Sequence, residues 1–129
     1  MEFPEDLRYT KSHEWARLSG KKAVCGITDF AQHELSDVVY VELPDIGSEV
    51  TAGEQCAVVE SVKIAADVYA PLSGKVTKIN TALDGAPETV NRDPYGAGWF
   101  FEIEVGDPAE VKDLMDADKY KAHTEAEKH

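Results

Sequence analysis

The sequence predicts a mostly β fold with short helices and a C-terminal helical segment. Short apolar runs rich in β-branched residues recur along the chain, and glycine- or proline-containing turns separate them, as expected of antiparallel strands. Asp107 followed by Pro108 indicates a helix start near the end of the chain. A chain of 129 residues can bury one hydrophobic core. Residues 1–129 are therefore predicted to form a single domain, with 107–129 as its C-terminal helical segment.

The first strand signals form a hairpin. Residues 7–17 are the first patterned segment, residues 18–22 supply turn chemistry, and residues 23–27 return as the pairing strand. Within this segment Trp15 is predicted to anchor the core or a sheet edge, and a solvated strand residue is the alternative to a functional role for Glu14.

A short helix and a strand follow. Asp29 is predicted to be the N-cap of a helix ending at Leu35, because Gln32 stands at capping-box spacing from it. Residues 38–43 form a run of high strand propensity that Pro44 stops.

The central stretch predicts a second hairpin with a lysine at its tip. Apolar runs at 56–59 and 68–70 flank a short polar crest that contains Lys63. A hairpin tip holds a side chain away from the core and within reach of large partners. This position suits an attachment point better than a catalytic base. Residues 74–80 are then predicted as another strand, which ends near 83–85.

The remaining elements lead into the helical segment. Residues 86–91 are predicted to form one helical turn, 93–99 a turn rich in aromatic residues, and 100–105 the final strand. Asp107 is predicted to cap a helix with an apolar face, which consists of Val111, Leu114 and Met115. A second helix is predicted from Asp116 through Tyr120, followed by fraying over residues 123–129.

Charge and hydropathy exclude several classes of partner. The formal net charge is −12, from 25 acidic and 13 basic residues, so the surface repels nucleic acid and anionic membranes. It favours a soluble monomer that meets basic patches on its partners. No apolar stretch approaches the length of a membrane span, and the first seven residues resemble neither a secretory signal nor a transit peptide.

The cysteines and histidines do not predict a metal or redox site. Cys25 and Cys56 lie in separate apolar runs without motif spacing, which predicts buried free thiols. His33 has no second histidine or cysteine at metal spacing and is predicted to lie on the surface. A hydrolase built on His13 or His33 is the rival from a different functional class. Consecutive strand residues alternate faces, so Ser12, His13 and Glu14 cannot converge as a triad, although Ser12 and Glu14 share a face.

The hairpin crest resembles a known family. Glu60-Ser-Val-Lys63, followed by Asp67, Pro71 and Gly74, resembles the lipoyl-lysine segment of glycine cleavage system H proteins. Residues 91–99 resemble the same family through the Asn-x-Asp-Pro-Tyr-Gly-x-Gly-Trp signature, and the likeness covers roughly residues 8–120. It implies a lipoyl-domain-like flattened barrel or sandwich, a barrel-sandwich hybrid. Ile64 departs from the pattern, since the family more often has alanine after the lysine.

The resemblance also implies a cofactor and a set of site residues. Lipoate is expected as an amide on the Lys63 side chain. Glu60 and Gly74 are expected to help the lipoylating enzyme recognise the hairpin, although Gly74 also reads as a turn glycine. Ser12, Glu14 and Asp67 are expected to line the cleft that receives the loaded arm.

The implied function is that of a carrier and not of an enzyme. The resemblance implies transfer of the aminomethyl group of glycine from glycine decarboxylase to a tetrahydrofolate-dependent aminomethyltransferase, with reoxidation by dihydrolipoyl dehydrogenase. The alternatives are a lipoyl donor or relay protein and a lipoyl carrier in another pathway. A biotin carrier and an unmodified structural adaptor are weaker readings. The expected location is cytoplasmic, with a mature mitochondrial form as the alternative.

Overall fold

Two antiparallel sheets form the framework of the protein. A computed structural model describes residues 1–127, and within them nine strands are present. In chain order the strands are β1 (Arg8–Tyr9), β2 (Glu14–Ser19), β3 (Lys22–Ile27), β4 (Val38–Glu42), β5 (Glu49–Val50), β6 (Gln55–Ser61), β7 (Ala65–Tyr69), β8 (Gly74–Ile79) and β9 (Phe101–Val105).

The strand order separates the chain into a large and a small sheet. The six-stranded sheet has the order β1-β2-β3-β9-β8-β5, and the three-stranded sheet has the order β4-β6-β7. Both hairpins predicted from the sequence are present, β2 with β3 and β6 with β7. The predicted mostly β sandwich with short helices is confirmed, and the described strands do not close into one barrel.

The main core lies between the two sheets. Strands of both sheets alternate inward and outward side chains, and the inward set of each sheet packs against that of the other. The three-stranded sheet contributes Val41, Val59 and Val68, and the six-stranded sheet contributes Phe101 and Ile103.

A second cluster attaches the C-terminal helix to the edge of the large sheet. Helix α4, numbered as the fourth in chain order, spans Ala117–Glu127, and its Tyr120 stacks on Tyr9 with ring centroids 4.5 Å apart. The indole of Trp15 is fully buried beside them and donates to the carbonyls of Ile27 (2.9 Å) and Pro94 (3.0 Å). The prediction that Trp15 anchors the core is therefore confirmed.

The N-cap of the first helix lies one residue earlier than predicted. Helix α1 spans Asp29–Leu35, and its N-cap is Thr28, whose hydroxyl accepts from the Ala31 amide at 3.1 Å. The prediction of Asp29 as N-cap was wrong, because Asp29 already lies inside the helix. Its carboxylate accepts from the Gln32 side chain at 2.7 Å.

The connection between β8 and β9 contains two short helices. Helix α2 spans Ala82–Gly85 and helix α3 spans Thr89–Arg92. The predicted turn of helix at 86–91 corresponds to α3 in part, whereas α2 was not predicted.

The last helix of the C-terminal segment extends beyond its predicted end at Tyr120. Asp107 caps a 3₁₀ helix, Pro108–Asp113, by accepting from the Ala109 amide at 3.0 Å. The predicted capping role of Asp116 is confirmed by its bond with the Lys119 amide at 2.9 Å. Helix α4 then continues to Glu127, so the predicted fraying from His123 was wrong as far as the described residues extend. Residues 128 and 129 lie outside them.

Within the described part of the chain, no helix has both the length and the apolar character needed to cross a membrane. Both cysteines are free thiols, as predicted, but only Cys25 is buried, whereas Cys56 is half-buried.

Candidate functional site

The β6–β7 hairpin presents Lys63 at its tip. Strand β6 pairs with β7 on one side and with β4 on the other, so it is the centre of the three-stranded sheet. Pairing with a strand on both sides holds the backbone of β6 firmly up to Ser61. The turn that follows contains Val62, Lys63 and Ile64, all of them exposed.

Ser61 organises this turn. Its backbone amide donates to the Ile64 carbonyl at 2.8 Å, and its buried hydroxyl accepts from the amides of Lys63 and Ile64, each at 3.1 Å. The Val62 amide donates to the Asp37 carbonyl at 3.0 Å, which ties the turn to the residue before β4. The backbone beneath Lys63 is thus fixed by hydrogen bonds while its side chain points into solvent.

The side chain of Lys63 is available for chemistry. Among residues 1–127, no carboxylate lies within 4.0 Å of its ammonium group. Its neighbours are apolar, with Val62 64% and Ile64 55% exposed. The side chain of Ile64, which is larger than the alanine common in the family, therefore faces solvent and does not bury Lys63.

A cleft of about 180 Å³ opens between helix α1 and the hairpin strands. Its floor is apolar and is formed by Ile27, Phe30, Leu35, Val59 and Val68. Polar residues of the turn before β2, of the first position of β2, of α1 and of β7 also line the cleft, namely Ser12, His13, Glu14, Glu34 and Asp67. The structure thus brings together the three residues that the sequence predicted for a cleft.

Glu14 is the most enclosed of these polar residues. Its side chain is 2% exposed, so the reading of Glu14 as a solvated strand residue was wrong. One carboxylate oxygen accepts from the hydroxyls of Thr10 and Ser12, each at 2.6 Å, and the other accepts from the Tyr69 amide at 3.2 Å. Burial raises the pKa of Glu14, and these hydrogen bonds oppose the rise by favouring the charged form.

Ser12 and His13 lie in a turn and not on a strand. Residue 13 has a positive φ of 73°, and β2 begins only at Glu14. The Ser12 hydroxyl is engaged with Thr10 and Glu14. The His13 ring contacts Tyr120 and Glu127 instead, so serine and histidine do not form a nucleophile relay.

Asp67 lies at the rim of the cleft, whereas Glu60 and Gly74 do not line it. Glu60 and Asp67 are exposed on the paired strands of the hairpin, opposite Ala65 and Val58 respectively. Gly74 opens β8 in the other sheet, beyond the end of β7 that is farther from Lys63. The structure does not bring Gly74 into contact with the lysine turn.

The conformation of Gly74 also differs from its predicted one. The interpretation as a turn glycine was wrong, since it pairs with β9 within the sheet. A Cβ atom at this position would overlap the backbone carbonyl oxygen of Glu104. The absence of a side chain is therefore required for β8 and β9 to approach each other.

Two partners of Glu14 were not found by sequence reasoning. The Thr10 hydroxyl reaches Glu14 because the turn at residues 11–13 reverses the chain between them. The residue types of this turn did not indicate its backbone conformation. The Tyr69 contact uses a backbone amide, which has no side-chain signature in the sequence. It joins β2 to the end of β7 across the two sheets.

The thiols take no part in this site. Burial is the main cause that raises the pKa of Cys25 well above its usual range. Burial, with a smaller effect of the Glu14 charge, raises the pKa of Cys56 to about 12. Both cysteines stay protonated near neutral pH and are poor nucleophiles.

Comparisons with known proteins place the chain in one family. The family model described as "Glycine cleavage H-protein" matches residues 7–127. A glycine cleavage system H protein of Anaeromyxobacter sp. (strain K) is 58% identical over 125 residues, which cover 97% of this chain and 98% of the relative. That of Coxiella burnetii (strain Dugway 5J108-111) is 57% identical over 127 residues, 98% of each chain.

A solved structure matches as well. The crystal structure of a glycine cleavage system H protein from Mycobacterium marinum superposes with a TM-score of 0.84 at 38% sequence identity, covering 94% of this chain and 98% of that one. The sequence similarity and the structural similarity both extend over nearly the whole length of this chain and of its relatives. This chain belongs to the glycine cleavage H-protein family.

Proposed function

We propose that this chain is a non-catalytic lipoyl carrier of the glycine cleavage system, with lipoate bound as an amide to Lys63. The observation that carries the proposal is the exposed Lys63 on a turn fixed by Ser61, beside an apolar cleft. A tethered group on such a turn is presented to each partner at high effective concentration. The whole chain acts as a single carrier domain.

The residues present fit this cofactor. The Lys63 amine has no competing ion pair in the described structure, and the cleft floor offers apolar side chains for a hydrocarbon arm. When bound to Lys63, lipoate would supply a redox-active dithiolane as the carrier group.

The protein's own residues position the arm on Lys63 and protect it from water. The apolar floor, including Phe30 and Val59, excludes water from one side of the cleft. Asp67 places an exposed carboxylate at the rim, where it attracts a cationic amine. Glu14 and Ser12 form a hydrogen-bonded polar wall that holds the turn before β2 in place. None of these residues has to make or break a bond.

The partners follow from this role. We propose glycine decarboxylase, the tetrahydrofolate-dependent aminomethyltransferase and dihydrolipoyl dehydrogenase, together with a lipoylating enzyme that recognises Glu60 and Gly74. A net charge of −12 keeps the carrier monomeric and directs it to basic patches on these enzymes. We propose a cytoplasmic location, with a mature mitochondrial form as the alternative. A lipoyl donor to other proteins is the second candidate, because the same exposed turn serves both roles.

The test is the intact mass of the chain after reaction with a lipoylating enzyme, followed by peptide mapping. A gain of about 188 Da on Lys63 is expected for one lipoyl group. The variant Lys63→Arg keeps the charge and should show no gain and no activity in glycine cleavage. The control Lys75→Arg removes another exposed strand lysine and should behave as wild type. If Lys63→Arg retains activity in glycine cleavage, the proposal is overturned. If that variant retains glycine cleavage and loses only the transfer of lipoyl groups to other proteins, the donor role is favoured.

A further inference from the structure

Two histidines and a carboxylate meet where helix α4 crosses the turn before β2. His13 Nε2 lies 2.6 Å from one carboxylate oxygen of Glu127, and His123 Nε2 lies 3.6 Å from the other. One ligand atom from each residue lies within 4.8 Å of the others. In this histidine cluster, defined as His13, His123 and Glu127, only His13 also lines the cleft, and the two residues of α4 lie outside it.

The fold holds the cluster together from both sides. His123 and Glu127 are four residues apart on α4, so they project from the same face of the helix. The helix is fixed by the Tyr9–Tyr120 stack and by the bond between the hydroxyls of Tyr120 and Thr28 at 2.7 Å. The positive φ of residue 13 turns its ring toward that helix.

We propose that the histidine cluster is a binding site for Zn²⁺ or a similar first-row divalent ion. Two imidazoles with one carboxylate are a donor set that Zn²⁺ accepts, with a water in the fourth position. Bonds of 2.0–2.2 Å in tetrahedral geometry place donor atoms about 3.4 Å apart. The cluster needs shifts of only about 1 Å to reach that spacing, and Glu127, which is 41% exposed, is free to make them.

The surroundings of His13 suit a metal ligand. Its Nδ1 lies 2.7 Å from the Tyr120 hydroxyl, which is the outer contact that orients a metal-binding imidazole. With the proton of the neutral His13 ring on Nε2, that N–H would donate to Glu127 and Nδ1 would accept from the Tyr120 hydroxyl. When a metal takes Nε2, the ring proton moves to Nδ1 and donates to the Tyr120 oxygen, so the ring keeps one proton. The Tyr120 hydroxyl can accept from His13 while donating to the Thr28 oxygen 2.7 Å away, so it can serve the ring in either state.

The other histidine gives up a weak contact on binding. His123 Nε2 lies 3.0 Å from the Lys11 carbonyl oxygen. Lys11 is exposed, so water replaces this bond when the ring nitrogen turns to the metal. Binding thus clips α4 to the turn before β2 through three side chains, and it stabilises the folded state by mass action.

The experiment uses the full chain without an affinity tag. Calorimetric titration with Zn²⁺ should show one ion per chain and a melting temperature that rises with Zn²⁺ concentration. Titration with Co²⁺ should give the visible absorption of a tetrahedral nitrogen and oxygen site without a thiolate charge-transfer band.

Two variants and one control locate the site. His123→Gln and Glu127→Gln each remove a ligand at the surface of α4, outside the cleft, and should weaken Zn²⁺ binding by more than about tenfold. His33→Gln removes an exposed histidine of α1 and should leave the affinity unchanged. The absence of saturable binding, equal affinity in all variants, or a thiolate band in the Co²⁺ spectrum would overturn the proposal.

Discussion

Glu14 shows how one residue couples the cleft to the sheets. Its carboxylate accepts from two hydroxyls of the preceding turn and from an amide at the end of β7. Both carboxylate oxygens are therefore already hydrogen-bonded within the protein, although the residue lines the cleft. The exposed carboxylates of Glu34 and Asp67 are the ones that remain available at the rim.

The burial of Glu14 has a consequence for the pH dependence of stability. Its pKa is raised above the ordinary value of 4.5 because burial penalises the charged form. The folded state therefore binds this proton more tightly than the unfolded state does. The contribution to the free energy of unfolding is fully present below pH 4.5 and is lost as the pH rises through the folded pKa.

We expect Glu14→Gln to remove this dependence. The measurement is the free energy of unfolding from urea titrations at several pH values from 4 upward. The advantage of wild type over the variant should shrink as the pH rises above 4.5, because only wild type loses the bound proton. A difference between the two proteins that does not change with pH would contradict a raised pKa.

At the scale of elements, the pairing of β8 with β9 depends on Gly74. A Cβ atom there meets the backbone of the neighbouring strand, which cannot move aside as a flexible side chain would. We expect Gly74→Ala to lower the free energy of unfolding by about 1–3 kcal/mol, as overpacking does. Urea denaturation measures the loss.

Gly85→Ala is the matched control for this change. Gly85 ends α2, its φ is not positive, and a Cβ there has no atom within 4 Å. Its substitution should change stability by less than about 1 kcal/mol. Equal stability of Gly74→Ala and wild type would show that the two strands adjust to the added Cβ atom.

The elements also show which features sequence reasoning could reach. Alternating apolar residues located the strands of both hairpins, and the polar crest located Lys63, because those signals are local. The N-cap moved from Asp29 to Thr28, since both residue types cap helices and only tertiary contacts decide between them. Helix α4 extends past its predicted end because Tyr120 and Thr124 are buried against the rest of the fold, and that packing is not written in local propensity.

The cleft was predictable only in part for the same reason. Ser12 and Glu14 were placed through a resemblance, whereas their close contact depends on the turn at residues 10–13. The Tyr69 amide and the Tyr120 hydroxyl reach the site from distant segments of the chain. Contacts between residues 55 or 107 positions apart leave no periodic pattern in a sequence.

At the scale of the whole molecule, charge is the dominant long-range feature. The chain has 25 acidic residues against 13 basic ones, and the few ion pairs of the described residues neutralise a small part of that excess. Folding brings like charges closer together than they are in the unfolded chain, so the folded state bears a cost of self-repulsion. Added salt screens that repulsion, since the Debye length falls from about 30 Å at 0.01 M to about 8 Å at 0.15 M.

We therefore expect the melting temperature at pH 7 to rise by a few degrees as NaCl is increased from about 0.01 M to about 0.15 M. The matched control is the same titration near the sequence isoelectric point of about 4.6, where the net charge is close to zero and the rise should disappear. A melting temperature that falls with salt at pH 7 would mean that attractive pairs outweigh the acidic excess. A rise of equal size at both pH values would point to a specific ion effect, because screening of net charge acts only where a net charge exists.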